Sequence, residues 1–310
     1  MSRKVRDNFK AGASYASVST RALSLPCRQS GGVCSALPGL DLIGFLRHGG
    51  RMPHDVDSSF RLYEQPEFRA ASGLSLRPGG EAVTRRGLAL CGLTLRPDGA
   101  ADLEALDIGC GAGATALWLA SQGVRVTGID PSSDLLSEAA RGAAALPASA
   151  PPPRFVSGRA ERLPLDDSSQ DLAVCECVLS LTTDPDSAVA ETARVLRPDG
   201  AFLVADVYER GGGFARRASC GGGSCLAGAM SAPALRALLE RHGFAVLAEE
   251  DHSRALAELA ARLVFGGGSL SGLARWLGAD CAAPASGRDL VRRFGYIVMA
   301  ARKTAAAKHT

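Results

Sequence analysis

The sequence lacks any long apolar run. No stretch approaches the roughly 20 residues that a helix needs to span a bilayer, and the best candidate, residues 33–46, is interrupted by Pro38, Gly39 and Asp41. We therefore predict a soluble protein with no membrane as a partner.

The cysteines lack the spacing of a disulfide framework or a structural zinc site. They are nine, an odd number, and neither Cys175-x-Cys177 nor Cys220-x4-Cys225 gives the paired spacing of zinc ligands. We therefore predict no metal site and reduced thiols in a cytoplasmic compartment.

An excess of basic residues is also lacking outside the first 51 residues. The chain has 35 Lys and Arg against 32 Asp and Glu, a formal net charge of +3. Residues 1–51 hold 8 of the basic and 2 of the acidic side chains, which leaves 27 basic against 30 acidic residues in 52–310. A nucleic-acid-binding surface would concentrate Lys and Arg on one face. Nucleic acid is therefore not an expected partner.

Composition divides the chain into four segments. Residues 1–51 are rich in Ser, Gly and Arg without a period of 2 or 3.6, which predicts a disordered basic leader. Their acid-poor start also resembles a transit peptide, and a start of translation at Met52 is the third interpretation. Residues 52–102 are predicted to form an N-terminal lid or helical segment, residues 103–303 the main domain, and residues 304–310 a frayed tail.

A glycine-rich loop after an apolar strand is the most informative motif. Residues 106–113 read LDIGCGAG, so three glycines alternate with small residues. Backbone without Cβ atoms allows a ligand to approach closely, which is typical of cofactor loops. A second strand is predicted to end at Asp130, 19 residues after Gly111. A carboxylate at that position accepts hydrogen bonds from both hydroxyls of a ribose.

The same loop satisfies the looser fingerprint Gly109-x-Gly111-x-x-Ala114, so an NAD-dependent oxidoreductase is an alternative. Asp107 argues against it, because a carboxylate two residues before the first glycine suits an ammonium group better than a pyrophosphate. Three further motifs follow, LPLDD at 163–167, QDL at 170–172 and RVLRPDG at 194–200. With these motifs the chain resembles the class I S-adenosylmethionine-dependent methyltransferases over roughly residues 103–303.

The resemblance implies an α/β fold with a Rossmann-like, doubly wound, seven-stranded sheet that is mostly parallel with an antiparallel last strand. The alternation of apolar strands and helices also indicates a parallel sheet covered on both faces. Strands are predicted at residues 105–108, 124–129, 154–157, 171–178, 201–208, 244–249 and 294–301. Helices are predicted at residues 81–91, 114–121, 132–145, 186–196 and 234–242, with two more within 253–277.

The resemblance also implies S-adenosylmethionine as the cofactor. Asp107 would face its ammonium group, backbone groups of Gly109 and Gly111 its amino acid part, and Asp130 its ribose. The full set of predicted cofactor-binding residues is Asp107, Gly109, Cys110, Gly111, Gly113, Asp130, Pro131, Ala160 and Glu176.

Arg159 departs from the family pattern. Most relatives place an acidic residue just before the position of Ala160, and its carboxylate holds the adenine amino group. Adenine recognition here must therefore rest on the backbone of Ala160 and apolar packing, or on Glu161.

Catalytic residues are sought where the fourth strand ends, because ligands of open parallel sheets bind at the carboxyl ends of strands. Strand alternation predicts Cys175 and Cys177 on one side and Glu176 on the other. The predicted catalytic residues are Glu176, Tyr208 and His252, the last for its titration near neutral pH.

A lid before the first strand is common in the family and would close over cofactor and substrate. Its candidates are Tyr63, Arg77 and Thr84. A helix that merely packs on the sheet is the alternative interpretation.

The predicted function is methyl transfer to a small-molecule acceptor. Family members that methylate nucleobases commonly show Asn or Asp, two prolines and an aromatic residue after the fourth strand, and this chain does not. Three alternatives stay open: a non-catalytic S-adenosylmethionine-binding protein, an arsenite-like metalloid methyltransferase that uses Cys177, Cys220 and Cys225, and the NAD-dependent oxidoreductase.

Overall fold

The computed structural model describes residue 69 and residues 77–95, 102–211, 225–265 and 292–304. The predictions for residues 1–51, Tyr63, Cys220, the second helix within 253–277 and residues 305–310 lie outside this part of the chain. The described helices are α1 Gly80–Leu90, α2 Ala114–Ser121, α3 Ser133–Ala143, α4 Pro185–Val195, α5 Ala232–Arg241 and α6 Ser253–Phe265. The described strands are β1 Glu104–Ile108, β2 Arg125–Asp130, β3 Arg154–Ser157, β4 Gln170–Glu176, β5 Leu196–Glu209, β6 Met230–Ser231, β7 Phe244–Asp251 and β8 Phe294–Lys303.

The strands form one sheet in the order β3-β2-β1-β4-β5-β8-β7, and the two-residue β6 pairs with the end of β5. The neighbours from β3 to β5 are parallel, whereas β8 runs antiparallel to both β5 and β7. This confirms the predicted Rossmann-like sheet with an antiparallel last strand. Only the short β6 was not predicted among the described strands.

Local sequence sets the helix boundaries. The Ser132 side chain accepts a hydrogen bond from the backbone N–H of Leu135 and so caps α3, while Asp184 caps α4 in the same way through Ser187. Pro185 follows Asp184 as the first residue of α4, where a missing N–H costs nothing. These caps place both helices within three residues of the predicted boundaries.

The sheet is buried on both faces. On β5, Leu203 and Ala205 pack toward α1 and α2, and Phe202 and Val204 pack toward α4 and α5. α1 lies so close to β5 that a Cβ on Gly87 would come within 2.3 Å of the Leu203 side chain. We call the side that carries α1 and α2 the α1 face of the sheet.

No helix in the described part of the chain is both long and apolar enough to cross a membrane. The five cysteines within the described ranges are buried and form no disulfide with one another: Cys91, Cys110, Cys175, Cys177 and Cys225.

Candidate functional site

A cavity opens at the carboxyl ends of β1, β2 and β4. It encloses about 970 Å³, including its open mouth. The sheet order reverses between β1 and β4, which is the topological switch point where open α/β sheets bind ligands. Most of the predicted cofactor-binding residues line this cavity: Asp107, Gly109, Cys110, Gly111, Asp130, Pro131, Ala160 and Glu176.

The glycine loop is folded onto β2 by its own amides. The N–H of Gly109 donates to the carbonyl of Ile129 at 2.7 Å, and the N–H of Gly111 donates to Oδ2 of Asp130 at 2.8 Å. Both glycines have positive φ, and a Cβ on Gly109 would lie 2.3 Å from Cγ2 of Val178. Since the two N–H groups are used within the protein, any ligand contact from these residues must come through their carbonyl oxygens.

Gly113 lies outside the cavity lining. It has φ +84°, and a Cβ there would lie 2.8 Å from Cβ of Ala139 on α3. The third glycine of the loop therefore allows α2 and α3 to pack closely, and the structure does not place it beside the predicted cofactor position.

Asp130 ends β2 with a buried carboxylate. Its Oδ1 accepts from the N–H of Ser132 at 2.9 Å, and its Oδ2 accepts from Gly111. A carboxylate oxygen has two lone pairs and can accept from more than one donor, so a carboxylate that lines the cavity is a suitable acceptor for a ligand hydroxyl.

Asp107 has the most unusual environment in the cavity wall. Its side chain is buried, and Oδ2 has no hydrogen-bond partner among the described residues. Burial, aided by the negative charge of Glu176, raises the pKa of Asp107 to about 8, although the positive charge of Arg77 opposes the shift. A buried carboxylate oxygen without a partner is costly, so this atom favours a ligand that brings a positive charge or a donor.

Glu176, by contrast, is fully surrounded by donors. Nε of Arg77 lies 2.8 Å from its Oε2, and the Thr84 hydroxyl donates to Oε1 at 2.7 Å. The Thr115 hydroxyl donates to Oε2 at 2.8 Å. Arg77 also donates to the Thr84 oxygen at 2.5 Å. The two predicted lid residues Arg77 and Thr84 thus meet at Glu176. The sequence analysis missed Thr115, at the start of α2, because a threonine in a first helical turn has no distinctive pattern.

Strand geometry explains why Asp107 and Glu176 share one cavity. Asp107 alternates with Leu106 and Ile108, which lie in the core of the opposite face, and Glu176 follows Cys175, which lies in that same core. Both carboxylates therefore point to the α1 face, toward the segment that carries Arg77.

The predicted placement of Cys175 and Cys177 on one side of the sheet is wrong. Cys175 packs in the core opposite the α1 face, whereas Cys177 packs on the α1 face. β4 ends at Glu176, and Cys177 has φ +57°, so the alternation of the strand stops before Cys177. Cys177 lines the cavity, and its thiol donates to the hydroxyl of Tyr296 at 3.5 Å.

The adenine side of the predicted site lies where Arg159, Ala160 and Glu161 line the cavity. Oε1 of Glu161 accepts from the backbone N–H of Thr183 at 3.0 Å and from its hydroxyl at 3.1 Å. Nε of Arg159 lies 3.8 Å from Oε2 of Glu161. Recognition of adenine by Ala160 or Glu161 stays a prediction.

Tyr208 and His252 do not line the described cavity. The Tyr208 hydroxyl donates to Oδ2 of Asp251 at 2.7 Å, and Nε2 of His252 lies 3.2 Å from Oε2 of Glu250. The structure therefore does not bring these two predicted catalytic residues together with Glu176, and their catalytic roles stay predictions.

Sequence comparisons connect the chain to known methyltransferases. A family described as "Methyltransferase domain" matches residues 106–204. The uncharacterized methyltransferase YcgJ of Bacillus subtilis is 37% identical over 108 residues, which cover 35% of this chain and 42% of YcgJ. An arsenite methyltransferase of Halobacterium salinarum is 32% identical over 146 residues, which cover 45% of this chain and 36% of that protein. The chain thus spans less than half the length of these two curated relatives.

Among solved structures, the [4+2]-cyclase SpnF is similar over most of its length. It is 25% identical with a TM-score of 0.62, and the similarity covers 82% of this chain and 97% of SpnF. The cavity at the switch point therefore belongs to a fold that is shared well beyond the matched motifs.

Proposed function

The chain belongs to the class I S-adenosylmethionine-dependent methyltransferases, and from this premise we propose that it transfers a methyl group from S-adenosylmethionine to a small-molecule acceptor. The observation that carries the proposal is the charge of the cavity wall. Two buried carboxylates, Asp130 and Glu176, line it beside one buried arginine, Arg77, together with the buried carboxyl group of Asp107, whose Oδ2 has no partner among the described residues. Such a wall favours a ligand with positive charge and disfavours a pyrophosphate.

The residues present fit this cofactor. Oδ2 of Asp107, which has no partner among the described residues, would accept from its ammonium group, and the carboxylate of Asp130 at the end of β2 would accept from its ribose hydroxyls. Pro131 and Ala160 supply apolar lining on the way to the adenine. We propose these contacts from the chemistry of the donors and acceptors on each side.

When bound, the cofactor supplies a methyl group on a positively charged sulfur, which is open to in-line attack by a nucleophile. The contribution of the protein is mainly to hold the two reactants in line. A base is needed only where the acceptor atom must lose a proton. Glu176 is poorly suited to that role, because Arg77, Thr84 and Thr115 already hold its carboxylate.

Binding without methyl transfer is the second candidate function. It is favoured by the positions of the predicted catalytic residues, since Tyr208 and His252 do not line the described cavity and Glu176 is already held by donors. The similarity to a protein described as a cyclase is compatible with it.

The metalloid alternative has less support. The arsenite methyltransferase relative resembles this chain over 45% of its length. Within the described ranges, however, no three His, Cys, Asp or Glu side chains are grouped to hold an ion, and Cys220 lies outside those ranges.

We extend the proposal to the surroundings of the protein. A reducing, cytoplasmic compartment suits the described cysteines, which form no disulfide with one another. The acidic balance of residues 52–310 supports a small molecule rather than nucleic acid as the acceptor.

The experiment is a turnover assay on the full chain under reducing conditions. S-adenosylhomocysteine is measured by mass spectrometry after incubation with S-adenosylmethionine and a panel of small amines, phenols, thiols, carboxylates and arsenite. Acceptor-dependent product supports methyl transfer. Cofactor binding without product across the whole panel supports the second candidate, and product with arsenite alone supports the metalloid alternative.

A further inference from the structure

The loop that follows β4 forms one wall of the cavity. We call residues 177–183 the β4 loop, and four of its residues line the cavity: Cys177, Val178, Leu181 and Thr182. The Val178 side chain packs over the glycine loop, because a Cβ on Gly109 would lie 2.3 Å from Cγ2 of Val178 and 3.2 Å from its Cγ1. The position of the β4 loop therefore sets the shape of the cavity beside the glycine loop.

The end of the β4 loop is tied to the side of the cavity that is predicted to hold adenine. Oε1 of Glu161 accepts from the backbone N–H and the hydroxyl of Thr183, and Glu161 itself lines the cavity. The β4 loop thus contacts the glycine loop through Val178 and the predicted adenine side through Thr183.

A buried carboxylate holds the middle of the β4 loop. Oδ1 of Asp206, on β5, accepts from the Ser180 hydroxyl at 2.6 Å and from the N–H of Val207 at 2.7 Å. Oδ2 of Asp206 accepts from the N–H of Ser180 at 2.9 Å. Asp206 is 3% exposed and Ser180 is 4% exposed, and neither lines the described cavity. Ser180 therefore gives two donors to one buried carboxylate that lies outside the cavity wall.

Gly228 packs directly against Ser180. A Cβ on Gly228 would lie 1.8 Å from the carbonyl oxygen of Ser180, so the backbone before β6 is in close contact with the β4 loop. Together with the two hydrogen bonds to Asp206, this contact restricts the position of Ser180.

We propose that Asp206 is a positioning residue for methyl transfer, which acts through Ser180 to hold the β4 loop against the glycine loop in the form that binds the cofactor. Its contribution reaches the ligand through the residues of the β4 loop that line the cavity. The inference rests on the proposed function, because it takes the cofactor to be S-adenosylmethionine.

The first test is calorimetric titration of the full chain with S-adenosylhomocysteine under reducing conditions. Asp206→Asn replaces one acceptor oxygen by an amide nitrogen, so at least one backbone N–H, of Ser180 or of Val207, loses its acceptor. This change should weaken binding about tenfold. Ser180→Ala removes the hydroxyl donor but keeps the N–H, and should weaken binding about threefold.

The double variant shows whether Asp206 acts through Ser180. If it does, Asp206→Asn with Ser180→Ala should bind within about twofold of Asp206→Asn alone, because residues in one hydrogen-bond network are not additive. Independent roles would multiply instead and would weaken binding about thirtyfold.

The matched control is Thr192→Val on α4. Thr192 is 1% exposed, and its hydroxyl donates to the carbonyl of Ala188 at 2.8 Å. The change thus also removes a buried hydroxyl donor, but at a residue that does not line the described cavity, and Kd should equal that of the wild type. Weakening as large as that of Ser180→Ala would overturn the inference, because any loss of stability would then produce it.

A second readout separates a local role from a loss of overall stability. Hydrogen exchange of the ligand-free protein is followed by mass spectrometry in the β4 loop and in β1. Asp206→Asn should accelerate exchange in the β4 loop at least about fivefold more than in β1, because the loop opens locally. Equal acceleration in both segments would overturn the inference.

Two binding results also overturn it while leaving the cofactor assignment intact: wild-type Kd in a folded Asp206→Asn, or multiplied effects in the double variant. If Asp206→Asn fails to fold, Ser180→Ala is compared with Thr192→Val. Weaker binding by Ser180→Ala alone supports the inference, and equal binding by the two contradicts it. Absence of any binding by the wild type would instead contradict the proposed function.

Discussion

The guanidinium of Arg77 and the carboxylate of Glu176 form an ion pair, with 2.8 Å between Nε and Oε2, and both side chains are less than one-tenth exposed. The pair joins the segment before α1 to the end of β4 at the cavity. It therefore connects the N-terminal segment to the site where the sheet order reverses. Its integrity should govern both the stability of the fold and the shape of the cavity.

Breaking this ion pair from one side should be costly. Glu176→Gln leaves a buried guanidinium without its counter-charge, and we expect a loss of about 3–5 kcal/mol in the free energy of unfolding. Combining it with Arg77→Met should cost less than the sum of the two single changes, with a coupling energy of about 1–3 kcal/mol. Urea unfolding of the wild type, the two single variants and the double variant at pH 7 measures this double-mutant cycle.

The control for that cycle is the exposed pair of Glu81 and Arg85 on α1. Glu81→Gln and Arg85→Met should each change the free energy of unfolding by less than about 1 kcal/mol. Additive effects of the Arg77 and Glu176 changes would contradict the described pairing.

Asp130 should be essential for binding. Its carboxylate holds the glycine loop through Gly111 and is the proposed ribose acceptor. Asp130→Ala should therefore weaken S-adenosylhomocysteine binding by more than about 100-fold, the equivalent of about 2.7 kcal/mol. The exposed Asp134 on α3 provides a control, because Asp134→Ala should leave Kd unchanged. Calorimetry on both variants, with circular dichroism to verify folding, gives the answer, and wild-type affinity in Asp130→Ala would refute the assignment.

The glycines of the loop should separate into two roles. Gly109→Ala places a Cβ 2.3 Å from the Val178 side chain in a strained conformation and should weaken cofactor binding at least tenfold. Gly113→Ala meets Ala139 away from the cavity and should lower the free energy of unfolding by about 1–3 kcal/mol with Kd nearly unchanged. Measuring Kd and urea stability for each variant tests the assignment, and the opposite pattern would show that Gly113 is the glycine beside the cofactor.

Asp107 also predicts how the stability of the free protein depends on pH. Its pKa is raised to about 8 in the folded state from the ordinary value of 3.8, so the folded state binds more protons than the unfolded state between these values. Stability from this group is therefore fully present at low pH and is lost as pH rises toward 8, at up to about 1.4 kcal/mol per pH unit.

Burial also raises the pKa of Asp206, to about 6. The stability that Asp206 contributes is therefore also lost as pH rises, but at lower pH than for Asp107. The Asp107 contribution is isolated by comparing wild type with Asp107→Asn from pH 6.5 to 8 in urea unfolding. The wild type should lose more stability over that range than the variant. Parallel curves would mean that Asp107 is ionised in the free protein.

The sequence was sufficient for the sheet and for the part of the site built from contiguous motifs. Asp107 and Asp130 each end or nearly end an apolar strand, and parallel strands bring such ends together whatever the rest of the chain does. The pairing of Arg77 with Glu176 was not predictable in this way, because it depends on how α1 lies across the sheet.

Local backbone geometry accounts for the other differences between the sequence predictions and the structure. Strand alternation predicted one side of the sheet for both Cys175 and Cys177, but the left-handed backbone at Cys177 ends the alternation. Neither residue type nor spacing indicates a positive φ at a cysteine. Thr115 was not predicted for a similar reason, because its hydrogen bond to Glu176 depends on how α2 lies relative to the end of β4.

The central claim is that the cavity at the switch point binds S-adenosylmethionine. The most direct test is calorimetric titration of the purified full chain, under reducing conditions, with S-adenosylmethionine, S-adenosylhomocysteine and NADH. We expect micromolar affinity for the two sulfur compounds and no detectable binding of NADH. Binding of NADH alone would contradict the assignment of the glycine loop and every role built on it.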